Sequence, residues 1–246
     1  MNWKGRHLSV EILFSQGGLA TQVLVRVGDS AILFDAGDGT LRDLLQAGVS
    51  PHVLAGVFFT HGHADHVSGL YGLLGYLRAE DHRKPFCVWY PETCCEVEAI
   101  LGAFRACHDE SIPYALESKV LSDGETVRLE EVQVLARKVE HWNSVGGRLL
   151  SPAPALGYRL SSHGEVVAIS GDTAPCSALV DLVKDADLAL VEATLDETAS
   201  AEQRTHLHLT ATAARAVAGL ARRAWFIHRP PNGQGLRAFD AGAECQ

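Results

Sequence analysis

Apolar residues fall at every second position within His7–Phe14, the period of a half-buried strand. Runs rich in β-formers at Thr21–Val27 and Ala31–Asp35 predict two more strands, and Thr40–Ala47 predicts a short helix closed by Gly48. The apolar stretch Gly56–Thr60 reads as a short buried strand. His66–Arg78 is expected to be helical, followed by a strand at Phe86–Tyr90 and a helix at Glu92–Cys107. The second half begins again with strands, at Val127–Leu129, Val132–Glu140, Gly157–Ser161 and Val166–Ser170. Ser177–Lys184 then predicts a helix, Leu188–Glu192 a strand, the alanine-rich Thr210–Ala221 a helix and Ala224–His228 a last strand. Strand-rich stretches with helices after them in each half predict an α/β (α+β) fold, two sheets face to face with helices outside. No repeat or linker divides residues 1–246, so a single domain is expected. The Gly- and Pro-containing stretch Trp142–Leu156 is expected to be irregular, and the tail after about residue 231 to be disordered.

Composition narrows the class. With 47% hydrophobic and 21% charged residues, the chain has the make-up of a folded globular protein. Met1–Arg6 is polar and basic and lacks the apolar stretch of a signal peptide, and no apolar run reaches bilayer-spanning length. A cytoplasmic protein with no membrane partner is therefore expected. The formal net charge of −9 opposes loose, non-specific binding to nucleic acid, while leaving room for a phosphate ester in a pocket whose local charge is reversed. Cys87, Cys94, Cys95, Cys107, Cys176 and Cys245 show no CxxC pairing and are read as thiols.

The sharpest signal is Thr60-His61-Gly62-His63-Ala64-Asp65-His66, an HxHxDH run. Imidazole and carboxylate are good ligands for zinc. Alternating spacing at a strand end aims His61 and His63 the same way. Asp65 and His66, at the turn into a helix, can face a second ion nearby.

This motif resembles the signature of the metallo-β-lactamase superfamily. The resemblance extends to Leu33-Phe34-Asp35-Ala36-Gly37 before the motif and Gly69-Leu70 after it. Within the superfamily the chain is most similar to tRNase Z (ribonuclease Z), through Gly69–Gly75, Gly157-Tyr158-Arg159, Glu192-Ala193-Thr194 and His208-Leu209-Thr210. The resemblance implies a four-layer αββα sandwich holding two Zn²⁺ ions, with Mn²⁺ or Fe as alternatives. It implies one metal site of His61, His63, His141 and Asp172, and a second of Asp65, His66, Asp172 and His228, with Asp172 bridging. It also implies a catalytic role for His208, with Glu192 orienting it and Asp65 orienting or deprotonating the nucleophile. His206 is a second candidate for the His208 role; only His208 has a threonine two places on, and Thr210 can equally serve as a helix N-cap.

The function implied is a dinuclear-metal hydrolase that cleaves a phosphodiester with a metal-bridging hydroxide. Its substrate would be a small molecule or a short RNA, and the resemblance implies a homodimer. The chain departs from tRNase Z in three places. The stretch from His141 to Asp172 has no room for the long tRNA-gripping arm; Arg229-Pro230-Pro231-Asn232 stands where Ser-Pro-Arg is usual; and Gln16-Gly17-Gly18 replaces Gly-Thr-Gly. These departures favour a small or flexible diester. The same ligands suit hydrolysis of a carbon-centred ester, thioester or lactone, or a redox pair of irons. A non-catalytic nucleotide or tRNA binder is the reading from another class.

Overall fold

The computed structural model describes residues 1–129 and 131–230, together with the short strand Phe239–Asp240. The chain divides into two compact units, Met1–Leu121 and Ser122–Gln246.

The first unit is a seven-stranded sheet in sequence order. Its strands are β1 (Asn2–Lys4), β2 (Leu8–Gln16), β3 (Ala20–Val27), β4 (Ser30–Phe34), β5 (Leu54–Phe58), β6 (Phe86–Pro91) and β7 (Leu116–Leu121). The first four run antiparallel, and β4 to β7 run parallel. Parallel neighbours need crossovers. These are α1 (Thr40–Gln46), the pair α2 (Ala64–Val67) and α3 (Leu70–Ala79), and α4 (Cys95–His108). Strand β6 is buried along its whole length, as expected of a parallel strand covered on both faces. Leu70, Leu73, Leu74 and Leu77 form the apolar stripe of α3, packed with Val97, Leu101 and Phe104 of α4 in the unit's core.

The second unit is also built on a seven-stranded sheet. Its strands β8 (Thr126–Leu129), β9 (Val132–Lys138), β12 (Leu156–Ser162) and β13 (Glu165–Ile169) run antiparallel. Between β9 and β12 the chain forms a separate two-stranded ribbon, β10 (Trp142–Val145) with β11 (Arg148–Pro152). Parallel pairing resumes from β13 to β14 (Leu188–Glu192) through α5 (Ser177–Val183), and on to β15 (Arg223–Ile227) through α6 (Ala201–His206) and α7 (Ala211–Ala218). The edge strand β16 (Phe239–Asp240) pairs antiparallel with β15. Ala214 and Ala218, one turn apart on α7, pack with Ala189, Val191 and Ala224 of the sheet, small residues that let helix and strands approach closely.

Three expectations change. The helix expected over His66–Arg78 is broken into α2 and α3 at Ser68–Gly69. A Cβ on Gly69 would lie 2.3 Å from the Gly37 carbonyl oxygen, so the chain bends where it meets the Ala36–Gly37 backbone. The helix expected from Glu92 begins at Cys95. The stretch Trp142–Leu156 is largely ordered as the β10–β11 ribbon, turned by Gly146 and Gly147 with φ of 57° and 78°. Two positive-φ residues in a two-residue loop match the twist of the flanking strands. Strands β1 and β7 and helix α6 had no counterpart in the hydrophobic pattern. The expected disordered tail lies outside the described residues except at Phe239–Asp240.

Candidate metal centre

In both units most of the chemistry-bearing residues lie at or just beyond the carboxyl ends of parallel strands, the place where open α/β sheets bind ligands; His141 instead follows the antiparallel β9, and His208 lies between α6 and α7. Asp35 follows β4, the HxHxDH run follows β5, Asp172 follows β13, Glu192 ends β14 and His228 follows β15.

In the first unit, Asp35 is buried and takes a left-handed backbone, φ 57°. Its Oδ1 accepts the Thr60 backbone N–H at 2.7 Å, and its Oδ2 accepts His66 Nδ1–H at 2.8 Å. The Thr60 hydroxyl, 2.9 Å from Asp35 Oδ2, donates to the carboxylate and accepts His61 Nδ1–H at 3.0 Å. Both buried rings are thus fixed through Nδ1 and present Nε2, the arrangement that orients histidines on metals. Ring centroids of His61 and His66 lie 4.1 Å apart, and those of His61 and His63 4.5 Å apart. Asp65 Oδ2 accepts the backbone N–H of Gly18 at 2.8 Å, so the turn between β2 and β3 holds this carboxylate. Gly37 lies beneath the loop; a Cβ there would stand 2.3 Å from the Asp65 carbonyl oxygen and 2.8 Å from the Thr21 backbone nitrogen.

In the second unit, Gly171, with φ 61°, turns the chain off β13 and delivers the buried Asp172. One donor atom each from Asp172, His208 and His228 lies within 4.8 Å of the others. His228 Nε2 is 3.3 Å from Asp172 Oδ2. Its Nδ1–H donates to the Thr194 hydroxyl at 2.9 Å. His141 Nδ1–H donates to the Leu207 carbonyl at 2.8 Å, and its ring lies 4.9 Å from that of His208.

Glu192 has no exposed surface. A buried carboxylate needs donors around it, and five are present. Oε1 accepts from the Thr173 N–H at 3.0 Å, the Leu209 N–H at 3.2 Å and His208 Nδ1 at 2.9 Å. Oε2 accepts from the N–H of Thr194 at 3.0 Å and its hydroxyl at 2.8 Å. His206 is placed elsewhere, with Nδ1 3.1 Å from Glu140 Oε1.

His61, His63, Asp65 and His66 therefore share the segment from the end of β5 into α2 of the first unit, and His141, Asp172, Glu192, His208 and His228 one end of the second. Sequence reasoning gave no role to Thr60, Thr194 or the Gly18 N–H. Thr194 stood within the Glu192-Ala193-Thr194 segment, and Thr60 directly before the motif, so adjacency was the available signal. The donor sets, imidazole nitrogens held from behind and carboxylate oxygens, fit divalent zinc, manganese or iron. The five described cysteines are free, and burial pushes Cys87 up to about 11 and Cys94 up to about 12, leaving two inert thiols. Among the described residues no helix is long and apolar enough to cross a membrane.

Residues 30–229 match the family described as the beta-lactamase superfamily domain. The ribonuclease Z of Geobacillus kaustophilus is 28% identical, over 87% of this chain and 82% of its own length. The short form of human tRNase Z shares the fold with a TM-score of 0.74 and 21% identity, covering 95% of this chain and 99% of the human one. The metallo-β-lactamase fold protein YhfI of Bacillus subtilis also has a TM-score of 0.74, at 16% identity, covering 92% of this chain and 87% of its own.

Proposed function

The chain belongs to the beta-lactamase superfamily and is a metal-dependent hydrolase, and from that premise we propose that it cleaves a phosphodiester of a short RNA or small molecule with a pair of divalent ions. In this reading His61, His63, His141 and Asp172 hold one ion, and Asp65, His66, Asp172 and His228 hold the other. Zinc is the expected metal, with manganese or iron as substitutes. When bound, such a pair lowers the pKa of water and neutralises charge growing on the phosphoryl oxygens.

The chain's own residues supply the rest. Asp65, steadied by the Gly18 N–H, orients the attacking water and takes the proton that the water loses. The water oxygen bonds to phosphorus as the bond to the leaving oxygen breaks. His208, held at Nδ1 by Glu192, gives that oxygen a proton from Nε2. No serine or cysteine nucleophile is needed. The observation that carries the reading is the Glu192–His208 pair standing beside Asp172 and His228, because an oriented imidazole next to candidate ligands is what expulsion of an alkoxide requires.

The test is turnover of bis(p-nitrophenyl) phosphate and of a tRNA precursor with a 3′ trailer by zinc- or manganese-loaded protein. Turnover that falls about 100-fold or more in His208→Ala supports the reading. Cleavage of the trailer names the substrate as a tRNA precursor. Cleavage of neither, with turnover of a lactone or thioester, replaces the reading with carbon-centred ester hydrolysis.

A further inference from the structure

The β10–β11 ribbon leaves the second unit's sheet directly after His141 and carries a half-buried Trp142 as its first residue. The Trp142 indole N–H donates to Glu140 Oε1 at 2.7 Å. His206 Nδ1 lies 3.1 Å from the same oxygen, and the two rings are 4.8 Å apart and tilted by 41°. One carboxylate therefore clamps two half-exposed aromatic rings from opposite segments of the chain. The clamp is reinforced from α6, where Gln203 donates to the Gly147 carbonyl at the ribbon's turn, 3.0 Å away.

The position of this cluster matters more than its existence. Trp142 is one residue, about 3.8 Å of backbone, from His141. His206 is two residues from His208, and the rings of His141 and His208 are neighbours. The ribbon also exposes Val145 and Leu150, 65% and 50% accessible, and the basic Arg148. A tryptophan whose polar edge is fixed but whose ring stays half exposed is suited to meet a flat partner.

We infer that Trp142 and His206, clamped by Glu140, form a stacking platform for a nucleobase flanking the scissile phosphodiester. The inference rests on the phosphodiesterase reading and narrows its substrate class to diesters carrying a base. Stacking tolerates any base, because each offers a π-face.

The test compares kcat and KM for a diadenosine ribodinucleotide and its abasic analogue in wild type, Trp142→Ala, Trp142→Phe and His206→Ala, with binding of adenosine 5′-monophosphate measured alongside by calorimetry. In Trp142→Ala the preference for the dinucleotide over the abasic analogue is expected to fall about tenfold, through KM rather than kcat, and Trp142→Phe to restore most of it. Adenosine 5′-monophosphate is expected to bind about tenfold more weakly to Trp142→Ala. An equal loss on both diesters, or no loss on either, overturns the platform. If wild type turns over neither diester, the phosphodiesterase reading fails instead. The nucleotide-binding arm then decides the platform by itself: weakened binding in Trp142→Ala retains it, and unchanged binding removes it.

Discussion

His208 Nδ1 stands 2.9 Å from Oε1 of Glu192, a carboxylate with no surface in contact with solvent. The same carboxylate accepts three backbone N–H groups, from Thr173, Leu209 and Thr194. Replacing it removes acceptors from buried donors as well as the partner of His208. Glu192→Ala is expected to cost about 3 kcal/mol or more in stability, read as a lower urea midpoint with an unchanged slope. In Glu192→Gln the packing is kept, and the fall should be chiefly in kcat. Equal stability of wild type and the alanine variant would remove Glu192 from its structural role.

Asp35 fixes the proton on the His66 ring. In Asp35→Asn the amide can no longer accept from both Thr60 and His66 as a carboxylate does. Metal affinity is expected to fall about 10- to 100-fold, as measured by competition with a chromophoric zinc chelator. Unchanged affinity would mean that His66 is oriented by something other than Asp35.

Gly37→Ala would push a methyl against backbone atoms of Asp65, Thr21 and Ala20, none of which can rotate away. A loss of about 2–3 kcal/mol is expected from thermal or urea unfolding. Gly62→Ala provides the contrast, since its methyl would meet Glu96 Oε2, the end of a flexible side chain, and Cys94 Sγ at 3.0 Å. The alanine at 62 should therefore be the milder of the two, and the reverse order would contradict the packing.

His82 is buried, its Nδ1 is 3.1 Å from His52 Nδ1, and its ring meets Tyr114 edge-on. Burial, then the charge of His52, holds its pKa below the usual histidine value, with Lys84 also nearby. The unfolded chain therefore takes the proton first. The stability contributed by neutral His82 is intact above about pH 6.5 and declines as pH falls below that value toward the folded pKa. The urea midpoint of wild type should drop between pH 7.5 and 5.5, and His82→Phe should flatten part of that drop. An identical slope in the variant would clear His82 of the effect.

Periodicity and motif spacing made much of the architecture legible, because buried parallel strands such as β5 (Leu54–Phe58) and β14 (Leu188–Glu192) are nearly continuous apolar runs. What escaped had local signals of another kind. Strand β7 carries Glu117, Ser118 and Lys119 in the middle of Leu116–Leu121, as solvent-facing edge strands often do, and so carried no hydrophobic period. Helix α6 is polar after Ala201, and its evidence was the capping box of Ser200 and Gln203. The ribbon was announced only by Gly146-Gly147, a two-residue turn signal inside a stretch otherwise read as loop.

The candidate site divides in a similar way. His61, His63, Asp65 and His66 could be read from a six-residue spacing, whereas His141, Asp172 and His228 needed the family resemblance, because a lone histidine at a strand end has no signature. Of the groups behind the rings, Glu192 was legible through the resemblance, and the others were not. The Leu207 carbonyl that holds His141 belongs to a residue sixty-six positions away, and no local pattern encodes such a partner.

The hydrogen-bonded series His61–Thr60–Asp35–His66 has a consequence for entropy. A hydroxyl has one proton to give; Thr60 spends it on Asp35 and can only receive from His61. Each ring is thereby confined to one tautomer and one rotamer by neighbours that belong to the fold itself. The rotational freedom of these two side chains is lost when the first unit folds, not when a ligand arrives. Whatever ion these nitrogens meet encounters donors already ordered, so the choice among ions is left to their chemistry and not to the cost of assembling the site.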